Sequence, residues 1–293
     1  MRILFIGSVQ FSKITIEALL TKKLNIVGIC GLKSSKFNSD HFDLSNIAKE
    51  NNIPFKHCPN INDELSIEWV RKLKPEVIFC FGWSQILSKK ILNIPTKGAI
   101  GFHPSKLPKN RGRHPIIWAL VLGLKETGST FFFMKEDVDS GDILSQRTIK
   151  ISIQDNARSL YNKIATEALK QLEEIIPNLE KNEIHTIPQN LSTSNNWRKR
   201  SQKDGLIDWR MSAESINNLV RGLSRPYVGA HFYYKKEPIT IWETKIIKNK
   251  FNNIEPGKVL FSSKKSTIIK AGTNAIEIIE MNPSTIFDKG TYL

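Results

Sequence analysis

The chain has 293 residues, of which 40% are hydrophobic and 24% are charged. This composition is too apolar for a disordered protein, and the length is sufficient for one large domain or for two. The formal net charge is +15, which raises the expectation of a polyanionic partner. The basic residues are spread along the chain without aromatic residues between them, however. We therefore interpret them as a lysine-rich solvated surface, and nucleic acid is the less favoured partner.

Two further classes of protein are excluded by the residue pattern. No apolar run reaches the roughly 18 residues that a membrane-spanning helix needs, so we expect no membrane partner. The run from Met1 to Gly7 indicates a buried strand rather than a signal peptide. Cys30, Cys58 and Cys80 have neither CxxC nor metal-ligand spacing. We expect buried thiols, no metal and a cytoplasmic location.

The first part of the chain alternates strand and helix patterns. In chain order, the predicted elements are strand Arg2–Ile6, helix Thr15–Leu20, strand Ile26–Cys30, helix Asp43–Asn51, strand Pro54–His57, helix Leu65–Leu73, strands Val77–Cys80 and Ala99–His103, helix Pro115–Leu122, a pair of strands Ser129–Met134 and Ile143–Ile151, and helix Asp155–Ile176. This alternation predicts an α/β fold with a doubly wound, mostly parallel sheet. Such sheets bind ligands at the carboxyl ends of their strands.

The pattern changes after residue 177, where a polar, turn-rich stretch precedes a run of basic residues. We predict a catalytic domain over residues 1–190, a linker over 191–204 and a C-terminal domain over 205–293. The C-terminal elements are predicted as helix Ser212–Leu223 and strands Gly229–Tyr234, Ile239–Ile246, Gly257–Phe261, Ser266–Ala271 and Ala275–Met281. Five short strands favour a small β-rich, barrel-like domain.

Common cofactor motifs are absent from the sequence. Gly7 follows the first strand without the GxGxxG pattern of a dinucleotide site. Neither a Walker-type GxxxxGK[ST] loop nor the hydrolase motifs GxSxG and HExxH occur.

Two polar segments stand out instead. His103 ends a predicted strand and begins a basic loop that prolines stiffen, which favours a functional histidine over a structural one. A second segment, between the paired strands, carries the four carboxylates Glu136, Asp137, Asp139 and Asp142. A polar turn would explain any one of these carboxylates, but the turn together with the histidine loop favours a site.

The motif HPSxLPxxRG from His103 to Gly112, followed by Asp139 in DxGDIL, resembles the formyltransferases that use N10-formyltetrahydrofolate. These include methionyl-tRNA formyltransferase, glycinamide ribonucleotide formyltransferase and the nucleotide-sugar N-formyltransferases. The resemblance covers residues 1–175 and continues in Asp204–Trp209 and Arg225–Ala230. It implies a Rossmann-like catalytic domain and a C-terminal domain of the oligonucleotide-binding (OB) type.

The resemblance also implies roles for particular residues. An imidazole, with an unperturbed pKa of about 6.5, can donate to a forming oxyanion and relay a proton, and a carboxylate can orient it. These roles would fall to His103 and Asp139. The pterin ring of the folate would be held by Ser84, Gln85, Leu87 and Asp137. The acceptor substrate would contact Ser8, Phe11, Lys109 and Arg111.

Gly101 departs from the family pattern, which is Asn-x-His. The missing amide would have served as an oxyanion donor, so its loss predicts a substitute, a slow enzyme or an inactive one. We favour a substitute, namely a water, a backbone N–H, Ser105 or His114. We also expect that the loop is built around a glycine, with a φ that asparagine would not readily adopt.

The acceptor is suggested by the segment Lys33–Ser45, which is short and lacks a Gly/Arg-rich insertion. Its Asn-Ser-Asp-x-x-Asp-Leu run resembles the sugar-modifying branch of the family. The expected reaction is transfer of a formyl group to the amine of a dTDP- or UDP-linked amino-dideoxy sugar, for surface glycan or lipopolysaccharide synthesis. The alternatives are methionyl-tRNA formyltransferase and a non-catalytic folate or nucleotide-sugar binding protein. The basic groups Lys109, Arg111 and Arg113 would meet a pyrophosphate or form a solvated loop. The oligomeric state is not predicted, and a homodimer is one of the possibilities.

Overall fold

The computed structural model describes residues 1–35, 38–248 and 253–293. The chain divides into two compact units. The first contains Met1–Gly112, Thr127–Ile149 and Asn162–Trp197, and the second contains Arg113–Glu126, Lys150–Tyr161 and Arg198–Leu293. The predicted boundaries at residues 190 and 204 stay a prediction.

The helices and strands follow the predicted alternation. In chain order they are β1 Arg2–Ile6, α1 Gln10–Thr21, β2 Asn25–Gly31, α2 Ser45–Glu50, β3 Phe55–His57, α3 Glu64–Leu73, β4 Val77–Cys80, α4 Lys89–Leu92, β5 Ala99–His103, β6 Arg111–Gly112, α5 Pro115–Val121, β7 Glu126–Phe133, β8 Ile143–Lys150, α6 Ala157–Lys181 and β9 Asn196–Trp197. They continue with α7 Ala213–Leu223, β10 Ala230–Tyr234, β11 Glu237–Ile247, β12 Val259–Ser262, β13 Thr267–Lys270 and β14 Ala275–Asn282.

The first unit is built on a seven-stranded sheet with the order β3-β2-β1-β4-β5-β7-β8. The five strands from β3 to β5 run parallel, and β7 is antiparallel to β5. This confirms the predicted α/β fold with a mostly parallel sheet. The residues Ile3 to Ile6 of β1 are fully buried, as expected for a central parallel strand. Because β1, β4 and β5 are neighbours, their carboxyl ends meet at one edge of the sheet.

The helix α6 is longer than predicted. The sequence predicts an end at Ile176, but the helix includes Pro177, which lacks a backbone donor, and ends at Lys181. Leu179 lies beyond the proline and is fully buried. Its carbonyl also accepts a hydrogen bond of 2.6 Å from Lys97 Nζ. Burial of the apolar face and this added bond offset the missing backbone donor.

The second unit contains α5, α7 and an antiparallel sheet with the order β10-β11-β14-β13-β12. The prediction of five C-terminal strands is confirmed. The Ser212 side chain caps α7 by accepting from Ser215 N at 3.0 Å. The aromatic rings of Trp209 and Phe232 lie in the core of this unit, with centroids 5.3 Å apart.

The three cysteines are buried and free, as predicted. Burial raises the pKa of the Cys80 thiol. Within the described ranges, no group of three or more His, Cys, Asp or Glu residues is arranged to hold a metal ion. The described helices include none that is both long enough and apolar enough to cross a membrane.

Candidate active site

His103 is the last residue of β5 and is only 5% exposed. Its Nε2 donates to the Asn110 carbonyl at 2.7 Å, and its Nδ1 lies 3.4 Å from Asp139 Oδ2. The ring therefore lies between two acceptors. Only the doubly protonated imidazolium can donate to both of them. The basic loop predicted from the sequence begins after this histidine, which is itself buried.

Asp139 lies in the turn between β7 and β8 and has a left-handed φ of 49°. Its Oδ2, the atom nearest His103, also accepts from the backbone N–H of Gly112 at 3.0 Å. Gly112 has a φ of 96°, and a Cβ at this position would lie 2.5 Å from the Trp197 carbonyl oxygen. A glycine is therefore required where the loop brings its N–H to the carboxylate. The structure thus brings together the two predicted catalytic residues and the RG pair of the motif.

The two basic residues predicted to contact substrate differ in their surroundings. Arg111 is 7% exposed, and its Nη2 donates to Gln189 Oε1 at 2.9 Å. Its Nε is buried without a hydrogen-bond partner in the described part of the chain. Lys109 is exposed, and its carbonyl accepts from Ser105 Oγ at 3.0 Å. Arg111 therefore belongs to the hydrogen-bond network around Asp139, whereas Lys109 lies at the surface.

Two amides that follow α6 complete this network. Gln189 Nε2 donates to the carbonyls of Asp139 and Gly141 at 2.9 and 2.6 Å. Asn195 Oδ1 accepts from Asn110 N at 2.9 Å, and β9 pairs with β6 beside it. Sequence reasoning missed both amides. No local pattern marks them, because each contacts a partner 50 or more positions away in the chain.

Gly101 lies within β5 opposite Phe132 of β7. Its φ is not in the left-handed region, so the expected backbone obstacle to asparagine is wrong. The obstacle is packing, because a Cβ at this position would lie 2.9 Å from Phe132 Cζ and 3.0 Å from Met134 Cγ. An apolar ring thus fills the space beside the glycine.

The two side chains expected to replace the missing amide, Ser105 and His114, belong to different units. Ser105 is fully buried, and its hydroxyl donates to the Lys109 carbonyl. His114 belongs to the second unit. Burial and the positive charges of Arg200 and Arg113 lower the pKa of His114. The Ser105 hydroxyl is thus already hydrogen-bonded, and a water, a backbone N–H or His114 as the substitute stays a prediction.

The residues expected to hold the pterin ring follow β4 or lie in the turn after β7. Gln85 donates to the Pro59 carbonyl at 2.8 Å and accepts from Ile61 N at 3.1 Å. Leu87 is buried in the core of the unit. Ser84 Oγ accepts from Asn38 at 3.2 Å, and Asp137 is exposed, with its carbonyl accepting from Ser140 Oγ at 3.0 Å. The side chains of Gln85 and Leu87 thus contact other residues of the chain. A ligand at this segment would therefore meet mainly backbone groups.

Ser8 and Phe11, the remaining predicted substrate contacts, follow β1 and are both buried. The Phe11 ring stacks on that of Phe102, with centroids 4.3 Å apart. Ser8 N donates to the Gly82 carbonyl at 3.3 Å. Phe11 therefore supports the residue next to His103 through packing, and the substrate contact stays a prediction.

Proteins similar to this chain in sequence include ArnA and methionyl-tRNA formyltransferases. The bifunctional polymyxin resistance protein ArnA of Wigglesworthia glossinidia brevipalpis is 40% identical over 227 residues, which is 78% of this chain and 34% of that protein. The chain thus spans about a third of that relative. Methionyl-tRNA formyltransferase of Caldanaerobacter subterraneus is 32% identical over 300 residues, covering 96% of this chain and 92% of that protein.

Similar folds occur among solved structures. The N-formyltransferase of Helicobacter canadensis, in complex with folinic acid and dTDP-3-aminofucose, has a TM-score of 0.72 at 17% identity and covers 95% of this chain and 98% of its own. HypX of Aquifex aeolicus with tetrahydrofolic acid has a TM-score of 0.68 at 19% identity and covers 96% of this chain and 44% of its own. At these identities the likeness concerns the fold alone.

Two family profiles cover most of the sequence. The profile of the formyl transferases matches residues 1–176, and the profile of their C-terminal domain matches residues 199–286. The first match includes the strand that carries His103 and the turn that carries Asp139. The chain belongs to the formyl transferase family.

Proposed function

We propose that the chain transfers a formyl group from N10-formyltetrahydrofolate to the amine of a nucleotide-linked amino-dideoxy sugar. The observation that carries the proposal is the contact of the buried His103, at the carboxyl end of β5, with the partly buried Asp139, whose same carboxylate oxygen accepts from Gly112 N–H. This pair lies within the region that matches the formyl transferases. It supplies the donor and the proton relay that formyl transfer to an amine requires.

In the proposed reaction the amine nitrogen attacks the formyl carbon, and the carbonyl oxygen becomes an oxyanion. Collapse of this intermediate breaks the bond between the formyl carbon and N10. The amine loses one proton and N10 gains one, so the transfer is balanced. His103 would stabilise the oxyanion with an N–H and relay the proton, while Asp139 holds the ring. Because Asp139 faces Nδ1 and the Asn110 carbonyl already accepts from Nε2, the Asn110 contact must be shared with or yielded to the substrate.

The sugar acceptor is supported by the sequence between β2 and α2. This segment lacks a Gly/Arg-rich insertion, although Lys36 and Phe37 within it lie outside the described residues. Arg111, with its buried Nε unpaired among the described residues, and the exposed Lys109 are suitable donors to a pyrophosphate.

Initiator Met-tRNA is the second candidate acceptor. It is favoured by the 32% identity to a methionyl-tRNA formyltransferase along 96% of this chain, and by the net charge of +15. ArnA has the higher identity, 40%, but it matches only 78% of the chain and is named as a polymyxin resistance protein rather than as a methionyl-tRNA formyltransferase. Both acceptors would take the formyl group from the same donor, so one assay can compare them directly.

The test is turnover with N10-formyltetrahydrofolate and a panel of dTDP- and UDP-linked amino sugars, beside charged initiator tRNA. We expect formylation of at least one sugar and little or no formylation of the tRNA. Asp139→Asn gives the background rate for each acceptor. Efficient formylation of Met-tRNA without sugar turnover would replace the proposal by its rival. Folate binding without turnover of either acceptor would leave a binding protein.

A further inference from the structure

One amide outside the predicted site holds the turn that carries Asp139. Gln189 follows α6 and lies 50 positions from Asp139 in the chain. Its Nε2 donates to the carbonyls of Asp139 and Gly141, and its Oε1 accepts from Arg111 Nη2. The single side chain therefore ties the turn to the basic loop that follows His103.

The turn needs such support for two reasons. The left-handed φ of Asp139 is uncommon for a residue with a side chain, although aspartate tolerates it better than most residues, and contacts around the turn help to hold it. The turn is also tightly packed, because a Cβ at Gly141 would lie 1.5 Å from the Phe133 carbonyl oxygen. Gln189 donates to two backbone carbonyls of this turn at once, one of them that of Asp139 itself.

The contact between the catalytic groups is sensitive to the position of the turn. His103 Nδ1 and Asp139 Oδ2 are 3.4 Å apart, which is already longer than the roughly 3.2 Å of a well-formed N–H···O hydrogen bond. A displacement of the turn that lengthens this distance further would therefore remove the contact. It would also strain the bond from Gly112 N–H, which ends on the same oxygen.

We propose that Gln189 is a positioning residue for formyl transfer. It acts through Asp139, by holding the carboxylate against His103 and Gly112, and it does not touch the substrate. The proposal rests on the proposed function only in using formyl transfer as one readout. It predicts that removing the amide lowers kcat without weakening binding of the folate.

The first test is Gln189→Glu, which keeps the size of the side chain and the acceptor for Arg111 but turns an oxygen toward the two carbonyls. We expect kcat to fall by up to about 10²-fold, as for a comparable misplacement of a catalytic group, while KM for N10-formyltetrahydrofolate changes by less than about twofold. Asn190→Ala is the matched control, because among the described residues the side chain of this neighbouring amide hydrogen-bonds only Ser192. We expect it to behave as the wild type.

A double-mutant cycle separates positioning from general stabilisation. In an Asp139→Asn background, Gln189→Glu should lower kcat by less than about threefold, since residues that act as a unit are non-additive. Equal losses in the two backgrounds would overturn the proposal.

A second measurement does not depend on activity. Hydrogen–deuterium exchange of residues 137–142 should be faster in Gln189→Glu than in the wild type, and unchanged in Asn190→Ala. Unchanged exchange in Gln189→Glu would overturn the proposal whether or not the chain turns over a sugar. Absence of turnover in the wild type would instead contradict the proposed function.

Discussion

Asp139 offers the most direct test of the catalytic pair. Asp139→Asn keeps an oxygen for Gly112 N–H but removes the charge that faces His103. We expect kcat to fall by about 10²–10⁴-fold, the usual contribution of a general acid–base group. The melting temperature should change little, because asparagine has the same shape and keeps the acceptor for Gly112 N–H. The checks are steady-state kinetics and thermal unfolding.

Asp142→Asn is the matched control for Asp139→Asn, because Asp142 lies in the same acidic segment and pairs with the exposed Lys135. We expect wild-type kinetics for this variant. Near wild-type kcat/KM in Asp139→Asn would show that the assignment is wrong. His103→Ala is a poorer test than its place in the motif suggests. The ring is buried and bonds the Asn110 carbonyl, so its removal also costs stability.

Gly101 allows the missing amide to be restored. Gly101→Asn would press its Cβ against Phe132, so we expect lower stability, by about 1–3 kcal/mol for overpacking, and no gain in kcat. Gly101→Ala separates the packing effect from the amide, and should destabilise without changing the chemistry. A gain in kcat of about tenfold or more for Gly101→Asn, at unchanged KM, would show instead that the oxyanion lacks a donor in the natural protein.

At the scale of elements, local patterns predicted the strands that position the site. The apolar run Ala99–His103 correctly predicted β5, and the motif correctly associated His103 with the turn after β7. The pairing of Arg111 with Asn196 was not predictable, because β6 and β9 have two residues each and no periodicity. The contacts of Gln189 were missed for the same reason, since a polar stretch without periodicity resembles a linker.

A turn of the second unit makes stability depend on pH. The Arg198 guanidinium and the Ser201 N–H lower the pKa of Asp204 well below its usual range. Bonds from Arg210 lower the pKa of Asp208 to about 2. In the unfolded chain both carboxyls titrate at about 3.9. Because the folded pKa values are the lower ones, the stability from both carboxylates is fully present above about pH 5 and is lost as the pH falls toward 2.

We therefore expect Asp204→Asn to melt at a lower temperature than the wild type at pH 7, and the difference to shrink as the pH falls from about 4 to 2. Thermal unfolding over this range is the measurement. Asp288→Asn is the control, because Asp288 is exposed and makes no ion pair with any other residue that the structure describes. A difference between wild type and Asp204→Asn that does not change with pH would contradict this account of the turn.

At the scale of the whole molecule, the net charge of +15 bears on the choice of acceptor. A diffuse positive surface attracts any polyanion. The logarithm of the binding constant then falls linearly with the logarithm of the salt concentration. A surface that recognises initiator tRNA would in addition distinguish it from elongator tRNA. Affinity for tRNA at low salt is therefore no evidence of function, whereas a preference between tRNAs is.

We expect initiator and elongator tRNA to bind with dissociation constants within about threefold of each other, and with the same slope of log K against log salt between about 50 and 200 mM. The physical reason is that charges spread over the chain contact phosphates without reading bases or loop shape. Fluorescence anisotropy with the two labelled tRNAs measures both quantities, and heparin serves as the polyanion without sequence. A preference of about tenfold or more for initiator tRNA that persists at 150 mM salt, where non-specific binding is weak, would contradict this expectation. It would make Met-tRNA the acceptor to test first, since a solvated lysine surface does not produce such a preference.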